Sequence, residues 1–479
     1  METLHANFLA PLLLGSYPLF IFYLFTRYRP AIAALISLSV AELMLPPLYT
    51  LHISPSWLNK WTLPPLTTGL LAFWFASKQL RRAHPFRGVE AIFALGIVAY
   101  VGATFTNTDA LHYGPLTLPP ASMKDLSGDL VRFFIDPWIS FFLGRALFKS
   151  SRDLRDLFKV LLIVFLPYSL FILFEARMAP NLCLWTYGYS PGSFFVVIRW
   201  GGYRPLVYFK DGLQLSSYVL MCAITAAAMA RSRMRVAQIP AKAAFLYIAI
   251  VLVICKSTGA IGYALFALPV VYFLSPKTVT RFAWVITAVF LVYPILRFLD
   301  VISVKPIADM FTGLNADRAN SLMYRFNMED ALIEHSKQRL WWGWGDWGRN
   351  LLFDPRTGTQ TSIPDGAVII GISSHGMVGF YSYFFPFAYT ILRATKYIKR
   401  IHSKVDRTLL AALAFNCAII LFDLIVNSAF FPIHMLMLGA LYSLPLAIAK
   451  EEAAAREEAA WADQRPNELP QAFPVAGSH

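Results

Sequence analysis

The sequence has few charged residues. Of its 479 residues, only 15% are Asp, Glu, Lys or Arg, whereas 57% are hydrophobic and 15% aromatic. Soluble proteins usually carry about a quarter charged residues, so this shortage excludes a soluble chain of this length. Apolar windows of about 20 residues, each long enough to cross a ~30 Å hydrocarbon core, recur throughout the sequence. The sequence therefore predicts an all-α polytopic membrane protein.

Cysteine is also scarce. The four residues, Cys183, Cys222, Cys255 and Cys417, are scattered without paired spacing. This pattern excludes a disulfide framework and a cysteine metal site. We expect the four thiols to be small apolar residues of the core.

We expect neither a removable signal nor a basic soluble domain in this sequence. The segment METLHAN has no basic n-region, and no small-residue cleavage site follows the first apolar window, 8–25. We therefore expect this window to remain as a membrane span. The net charge is +14, but the sequence contains no soluble domain on which a nucleic-acid site could form. We expect no nucleic-acid partner and assign the charge to topology and to anionic membrane lipids.

Hydropathy predicts about 13 crossings in a single transmembrane domain, residues 1–449. A Glu- and Ala-rich stretch then opens a tail, 450–479, in which we expect a solvated helix followed by a partly disordered Pro-rich segment. The predicted spans are approximately 8–26, 31–49, 63–78, 89–106, 130–148, 157–175, 212–230, 241–256, 259–275, 282–298, 367–392, 408–427 and 431–449.

Charge sets the predicted orientation. Alternate connections, beginning with TRYRP after the first span, are rich in Lys and Arg, and the positive-inside rule places them in the cytoplasm. The N-terminus is then outside and the C-terminus inside. Three connections on the outer side are long, and long loops in compact domains are usually functional. They run from Thr106 to Asp129, from Arg177 to Asp211 and from Asp300 to Gly366.

Several cations fall on the predicted outer side, against the positive-inside bias. Arg318 and Arg325 follow helical spacing in the extracytoplasmic loop 299–366, so we expect both on one face of an amphipathic helix. Guanidinium groups bind phosphate oxygens bidentately, and the set therefore favours an anionic ligand such as a diphosphate. The remaining outer cations are Arg177, Arg199, Arg204 and Lys210 in the second long loop and Lys256 in a tight turn.

Simpler interpretations of these residues stay open. Each arginine could snorkel to lipid headgroups, and Arg325 could form an i,i+4 surface pair with Glu329. The loop helix could lie flat on the membrane with Leu322, Phe326 and Ile333 facing it. The segment WWGWGDWG offers the indole rings of Trp341, Trp342 and Trp344 for sugar stacking or for an interfacial aromatic belt.

The order of these motifs resembles the O-antigen ligase and O-antigen polymerase superfamily. The resemblance covers residues 199–383 and consists of GGYRP before a span, CKSTGA at a helix turn, MYRFNMEDAL and WWGWG in the long loop, and GMVG in the next span. It implies a bacterial inner-membrane glycosyltransferase that uses a glycan on undecaprenyl diphosphate at the periplasmic face, with no metal or other cofactor. It also implies an acceptor glycan and, as further partners, chain-length or flippase proteins.

The resemblance also implies roles for individual residues. Arg204 and Arg325 match the family arginines that hold the diphosphate leaving group, and Lys256 stands near the family's basic turn. Where many ligases have His-Asn, this sequence has Asp365-Gly366, so Asp365 becomes the candidate base. An ordinary helix cap at that position is the alternative. His375 could be the displaced histidine or a core histidine bonded to a carbonyl.

The sequence thus predicts transfer of a glycan from undecaprenyl diphosphate to an acceptor hydroxyl. We expect Arg204, Lys256 and Arg325 to neutralise the leaving group, with Asp365 as base and the loop helix as a lid. The missing His-Asn favours a polymerase over a ligase. A flippase would use intramembrane ionisable residues and symmetric halves, but the halves show no repeat. A peptidoglycan glycosyltransferase of the shape and division type stays open. The residues expected to bind substrate are Lys256, Lys210, Arg318, Arg199, Trp341, Trp342, Trp344 and His375.

Overall fold

Apolar helices dominate the structure. The computed structural model describes residues 6–51, 58–85, 88–192, 197–301 and 316–463. Within these ranges, seven helices are long and apolar enough to cross a membrane, and five shorter apolar helices accompany them. The seven long helices are those we number α1, α8, α10, α13, α15, α16 and α17 below. The predicted all-α polytopic membrane fold is therefore confirmed.

The helices follow the predicted spans closely. The predicted fifth span is a continuous helical run made of α6, a π-helical segment at Phe134–Ile139, and α7. The helices are α1 (Leu9–Arg27), α2 (Pro30–Met44), α3 (Leu63–Phe75), α4 (Ser77–Ala83), α5 (Glu90–Thr106), α6 (Met123–Phe133), α7 (Ser140–Leu147), α8 (Ser151–Met178), α9 (Leu182–Tyr187), α10 (Gly212–Arg231), α11 (Ala241–Ile254), α12 (Thr258–Phe273), α13 (Pro276–Phe298), α14 (Ala316–Lys337), α15 (Ala367–Ile398), α16 (Lys404–Asp423) and α17 (Pro432–Asp463).

Three short antiparallel hairpins interrupt the helices. Each pairs two neighbouring strands through a tight turn, and none joins another to make a larger sheet among the described residues. The strands are β1 (Leu111–Tyr113) with β2 (Leu116–Leu118), β3 (Ile198–Arg199) with β4 (Gly202–Tyr203), and β5 (Arg235–Val236) with β6 (Ile239–Pro240).

Close helix packing forms the core. The helices α7 and α17 cross at Gly144 and Gly439, where an added Cβ would approach a backbone oxygen of the opposite helix to 2.1 Å and 2.0 Å, respectively. Small residues at such crossings let membrane helices approach each other, which strengthens van der Waals packing where no hydrophobic effect drives association. The four cysteines are all buried, as expected for core residues.

The basic connections share one face of the bundle, which we call the basic face. Arg29 is 3.0 Å from Asp153, and Arg155 is 3.0 Å from Asp406, so ion pairs join connections that are far apart in sequence. The guanidinium of Arg145 donates to the carbonyl of Ala83 at 2.7 Å. The three long connections lie at the opposite ends of the helices, on what we call the site face.

Ionisable groups inside the spans have structural partners. Glu42 pairs with Lys60 at 3.1 Å, and both side chains are buried. His434 lies between the rings of Phe430 and Phe431, and its Nδ1 accepts from the Phe431 amide at 3.4 Å. Buried charges in a membrane are costly unless paired, and the Glu42–Lys60 pair relieves that cost.

Glu175 organises the second long connection. Its carboxylate, at the end of α8, accepts the backbone N–H groups of Leu182, Leu206 and Val207 at 2.7–2.9 Å. The side chain is fully buried, so no water replaces these bonds. Glu175 therefore fixes the backbone immediately after Arg204.

We expect Glu175→Gln to lower the melting temperature of the detergent-purified protein. The amide keeps one acceptor oxygen but turns an N–H₂ group toward backbone donors, which costs about 1–3 kcal/mol. Thermal unfolding followed by intrinsic fluorescence measures the effect. The exposed neighbour Arg177 supplies the control, since Arg177→Gln is expected to leave the melting temperature unchanged. Equal melting temperatures for Glu175→Gln and the wild type would contradict this role.

Candidate functional site

The predicted loop helix is present as α14. It packs against α13 and α15 through Phe326, Leu332 and Ile333, which are buried. Leu332 and Ile333 form a cluster with Ile369 of α15. Phe326 and Ile333 therefore face other helices of this protein. Arg318 and Leu322 fall in the first turns of α14, and their side chains lie outside the described residues.

Two carboxylates anchor α14 to α13. Glu329 accepts the hydroxyl of Tyr293 at 2.7 Å and lies 3.5 Å from Arg297, which also contacts Asp330 at 2.5 Å. Burial raises the pKa of Glu329, an effect that the bond from Tyr293 and the charge of Arg297 oppose. The i,i+4 pair with Arg325 considered above is thus absent here, because Glu329 points to α13.

Arg325 pairs instead with Asp365. The guanidinium Nε is 3.1 Å from the Asp365 carboxylate, and Nη1 reaches the Val426 carbonyl at 3.5 Å. Helix α15 begins after Gly366, and no side chain caps it. The carboxylate of Asp365 is therefore bound to the loop arginine, and the alternative interpretation of Asp365 as a helix-capping side chain is wrong. Both side chains keep access to solvent, with 30% and 42% exposure.

A buried carboxylate lies near this pair. Asp423 accepts the Asn427 amide at 2.7 Å and also contacts Ser217 of α10 and Tyr263 of α12. Its charge interacts favourably with that of Arg325. On the site face, the ends of α10, α12, α15 and α16 thus meet around Arg325. The sequence showed Asp423 only as an ionisable residue in a span.

The space beside Arg325 is small in this conformation. The cavity that Arg325, Glu329 and Asp365 line has a volume of about 20 Å³. A volume of this size holds about one water molecule. A diphosphate is therefore too large for this cavity, and the solvent-exposed part of Arg325 is what remains open to it. Helix α14 lies over the cavity, and its role as a lid stays a prediction.

The other predicted cations surround the start of α10. Arg204 is 3% exposed and packs so closely on Gly212 that an added Cβ there would meet its Nε at 2.2 Å. Lys256 donates to the carbonyl of Arg199 at 3.0 Å, so part of its role is to hold the β3–β4 turn. Lys210 is exposed on the site face. Arg204 lies near Cys255 at the end of α11, whereas Arg325 lies near Tyr263 of α12.

Helix α15 is broken at Gly376, and the Trp-Gly segment fills the break. Gly376 has φ 65° and ψ −170°, which interrupts the helical backbone directly after His375. The amides of Trp344 and Gly345 donate to the Ser373 and Ser374 carbonyls at 2.8 Å. On the other side of the break, the Met377 and Val378 amides donate to the carbonyls of Leu340 and Trp341, at 2.9 Å and 3.3 Å. Loop residues 340–345 therefore replace the missing helical hydrogen bonds.

The three tryptophans have different surroundings. The Trp344 ring stacks on His335 with centroids 4.2 Å apart, and the Arg339 guanidinium lies 4.3 Å from its centre. Trp344 is only 8% exposed, so it is unavailable for sugar stacking and the prediction for it is wrong in this conformation. Trp342 packs on Gly102 of α5. Trp341 is 63% exposed and borders an apolar groove between α5, α13 and α15, as an interfacial residue would.

His375 faces the same tryptophan-rich segment. Its Nε2 is 3.6 Å from the carboxylate of Asp346, and its ring centroid is 3.9 Å from that of Tyr100. The expected alternative, a histidine bonded to a carbonyl, is not among the contacts found for the described residues. The charged group beside the imidazole is instead the Asp346 carboxylate. Asp346 was not among the site residues predicted from the sequence, where only its place in GDWG after the tryptophans marks it.

A second acid joins the His375–Asp346 cluster from the first long connection. Asp129 of α6 contacts the Trp347 indole and lies close enough to Asp346 for the two charges to repel. Burial, followed by the Asp346 charge, raises the pKa of Asp129 to about 7. Asp129 is therefore partly protonated near neutral pH.

We expect Asp129→Asn to stabilise the protein at pH 8 more than at pH 5. A carboxyl whose folded pKa is raised binds more protons in the folded state, so stability falls as pH rises from about 4 to about 7. Asn has no carboxyl group to titrate, so the variant does not lose stability for this reason over that pH range. Because Asp129 is half-buried, solvent screening limits the difference to about 1 kcal/mol. Melting temperatures of both proteins across this pH range measure it, and parallel curves for the two would contradict the assignment.

Arg349, on the site face, holds two of the long connections together. Arg349 is buried and donates to the carbonyls of Asp109 and Pro119 at 2.9 Å and 2.8 Å. Asn107 donates to the Gly343 carbonyl at 3.0 Å. These contacts tie the first long connection to the Trp-Gly segment, and the sequence analysis did not single them out.

The sequence was also compared with known proteins. No family model matches it, and no curated protein matches it significantly.

Proposed function

We propose that the protein is a glycosyltransferase that moves a glycan from undecaprenyl diphosphate to a sugar hydroxyl. The observation that carries this proposal is the Arg325–Asp365 pair, in which a lid helix holds a guanidinium against a carboxylate at the outer ends of membrane helices. Such a pair provides a phosphate-binding cation and a proton acceptor at one point. Arg204 and Lys256, at the neighbouring ends of α10 and α11, extend the positive region.

The pair supports a substrate-triggered exchange of partners. The diphosphate competes with Asp365 for the Arg325 guanidinium, and its arrival leaves the carboxylate free to accept a proton. The acceptor hydroxyl then attacks C1 of the donor sugar while the bond from C1 to the diphosphate oxygen breaks. The electron pair stays on the diphosphate, where the arginines stabilise it, and the hydroxyl proton passes to Asp365. No metal or other cofactor takes part in this proposal.

The contacts favour a transferase over a flippase. A proton-coupled transporter needs ionisable groups along a midplane path, whereas Glu42, Glu175 and His434 are held by local structural partners. We place the protein in a bacterial inner membrane with the site face toward the periplasm. We prefer a repeat-unit polymerase, with ligation to a lipid or protein acceptor as the alternative, because Asp365 stands where many ligases have His-Asn.

The test uses purified protein in nanodiscs with a fluorescent undecaprenyl-diphosphate oligosaccharide. A ladder of lengthening glycans on a gel establishes polymerisation. A single transfer product that appears only with added lipid or glycan acceptors establishes ligation. Movement of the lipid-linked glycan between leaflets without any transfer product would overturn the proposal in favour of a flippase.

A further inference from the structure

A second cavity lies on the other side of the α15 start from the Arg325–Asp365 pair. Its volume is about 250 Å³, just below the ~300–1,000 Å³ range of small-molecule pockets. The segment between α16 and α17 separates the two sites, because Ile425 and Val426 line the space at Arg325 whereas Leu424 and Ser428 line this cavity. One ring-sized ligand fits such a volume, and an oligosaccharide does not.

Polar groups converge on this cavity. His375 and Asp346, 3.6 Å apart, both line it. Ser374 lines it as well and is 2% exposed, and its hydroxyl has no hydrogen-bond partner within the described parts of the chain. A buried hydroxyl without a partner is costly, so a ligand that bonds to it gains affinity. The three side chains offer donors and acceptors to one ligand.

Aromatic rings form much of the remaining wall. The rings belong to α5, α6, α15 and the α16–α17 segment, and they supply flat apolar surface for stacking. They are those of Tyr100, Phe133, Phe380, Tyr383, Phe384 and Phe430.

The acidic side chains at the cavity determine which class of ligand it can bind. Asp346 is on its wall, and Asp129 is close enough to repel it, so a phosphate group is disfavoured here. A purely apolar ligand would leave Ser374, His375 and Asp346 without hydrogen bonds to it. A neutral ring with several hydroxyls and an apolar face satisfies both the polar groups and the aromatic wall.

We propose that this cavity binds one neutral sugar residue, the acceptor end of the growing glycan. The assignment rests on the proposed transferase function and extends it, because it separates an acceptor subsite from the diphosphate site. His375, Asp346 and Ser374 hold the sugar hydroxyls. Because Asp365 accepts the proton of the attacking hydroxyl, that hydroxyl projects from the cavity past the α15 start toward the Arg325–Asp365 pair.

Binding of simple sugars tests the cavity without any transfer. Saturation-transfer NMR is recorded on the full-length protein in nanodiscs with glucose, galactose, mannose, rhamnose and N-acetylglucosamine. Ser428 is exposed at the cavity, so Ser428→Trp places an indole there with little risk to folding. Ser190→Trp, at an exposed serine in the second long connection, is the matched control. His375→Gln tests the polar wall.

We expect at least one sugar to give a signal with the wild type, with Ser190→Trp and with Arg325→Ala. Ser428→Trp should abolish that signal, and His375→Gln should weaken binding about tenfold. In the transfer assay, Ser428→Trp should raise the KM for acceptor at least tenfold. Absence of signal for all five sugars at millimolar concentration overturns the inference, as does an unchanged signal in Ser428→Trp. Failure of the wild type to transfer glycan, with sugar binding intact, overturns only the transferase proposal.

Discussion

Arg325→Ala is expected to lower the rate of glycan transfer by about 100- to 1,000-fold. Removal of one donor that stabilises developing charge typically costs this much, since the interaction is strongest in the transition state. Arg325 also holds Asp365 at 3.1 Å, so the variant loses both the leaving-group cation and the group that orients the base. Initial rates on the fluorescent lipid-linked oligosaccharide measure the effect, with the level of inserted protein verified by size-exclusion chromatography.

Two further variants identify the cause. Arg325→Lys keeps the charge but loses the bidentate geometry, and we expect an intermediate loss of rate. Arg356 is an exposed arginine of the same long connection, and Arg356→Ala should retain full activity. Unchanged turnover in correctly folded Arg325→Ala protein would remove the central residue of the proposed mechanism.

Gly343→Ala is expected to destabilise the protein by about 2–5 kcal/mol. Gly343 has φ 73°, a region that costs an L-residue roughly 1–2 kcal/mol. An added Cβ would also lie 2.5 Å from the Ser374 backbone, so the segment at the α15 break would have to move away. Such overpacking costs a further ~1–3 kcal/mol. The separation would expose the hydrogen-bonding groups that loop and helix now share.

Gly345 provides a matched control for this variant. It has φ 77° in the same segment, but nothing lies within 4 Å of an added Cβ. Gly345→Ala should therefore show only the conformational cost and a much smaller fall in melting temperature. If both alanine variants melt at the same temperature, the contact with the α15 break is not the reason why position 343 requires glycine.

The span pattern was predictable because hydrophobic length and loop charge are local properties of the sequence. The long α14 and the position of Arg325 followed from helical spacing in the same way. The ion pair with Asp365 was not predictable, since 40 residues separate the partners along the chain. The order of the motifs singled out Arg325 as a match to a family arginine and Asp365 as a candidate base. Only the packing of α14 on α15 brings the two side chains together.

The tryptophans show why composition alone misled. WWGWGDWG suggested rings for ligand stacking, but Gly343 between them matters more, because it lets the backbone approach α15 closely. Trp344 is consequently buried as a structural ring. Asp346 received no attention in the sequence, since a single acid after tryptophans has no helical or strand periodicity. Its importance comes from Asp129 and His375, which reach it from separate helices.

The break in α15 has a consequence for biogenesis. Gly376 lies nine residues beyond Ala367, roughly 14 Å along the helix, and unpaired peptide groups at such depth cost several kcal/mol each in lipid. Ribosomes make residues 340–345 before α15, so their amides and carbonyls are already available when that helix emerges. The interrupted helix can therefore enter the bilayer while residues 340–345 are close enough to bond to its unpaired peptide groups. Because these residues are made first, the helix does not have to be rearranged later to find partners for those groups.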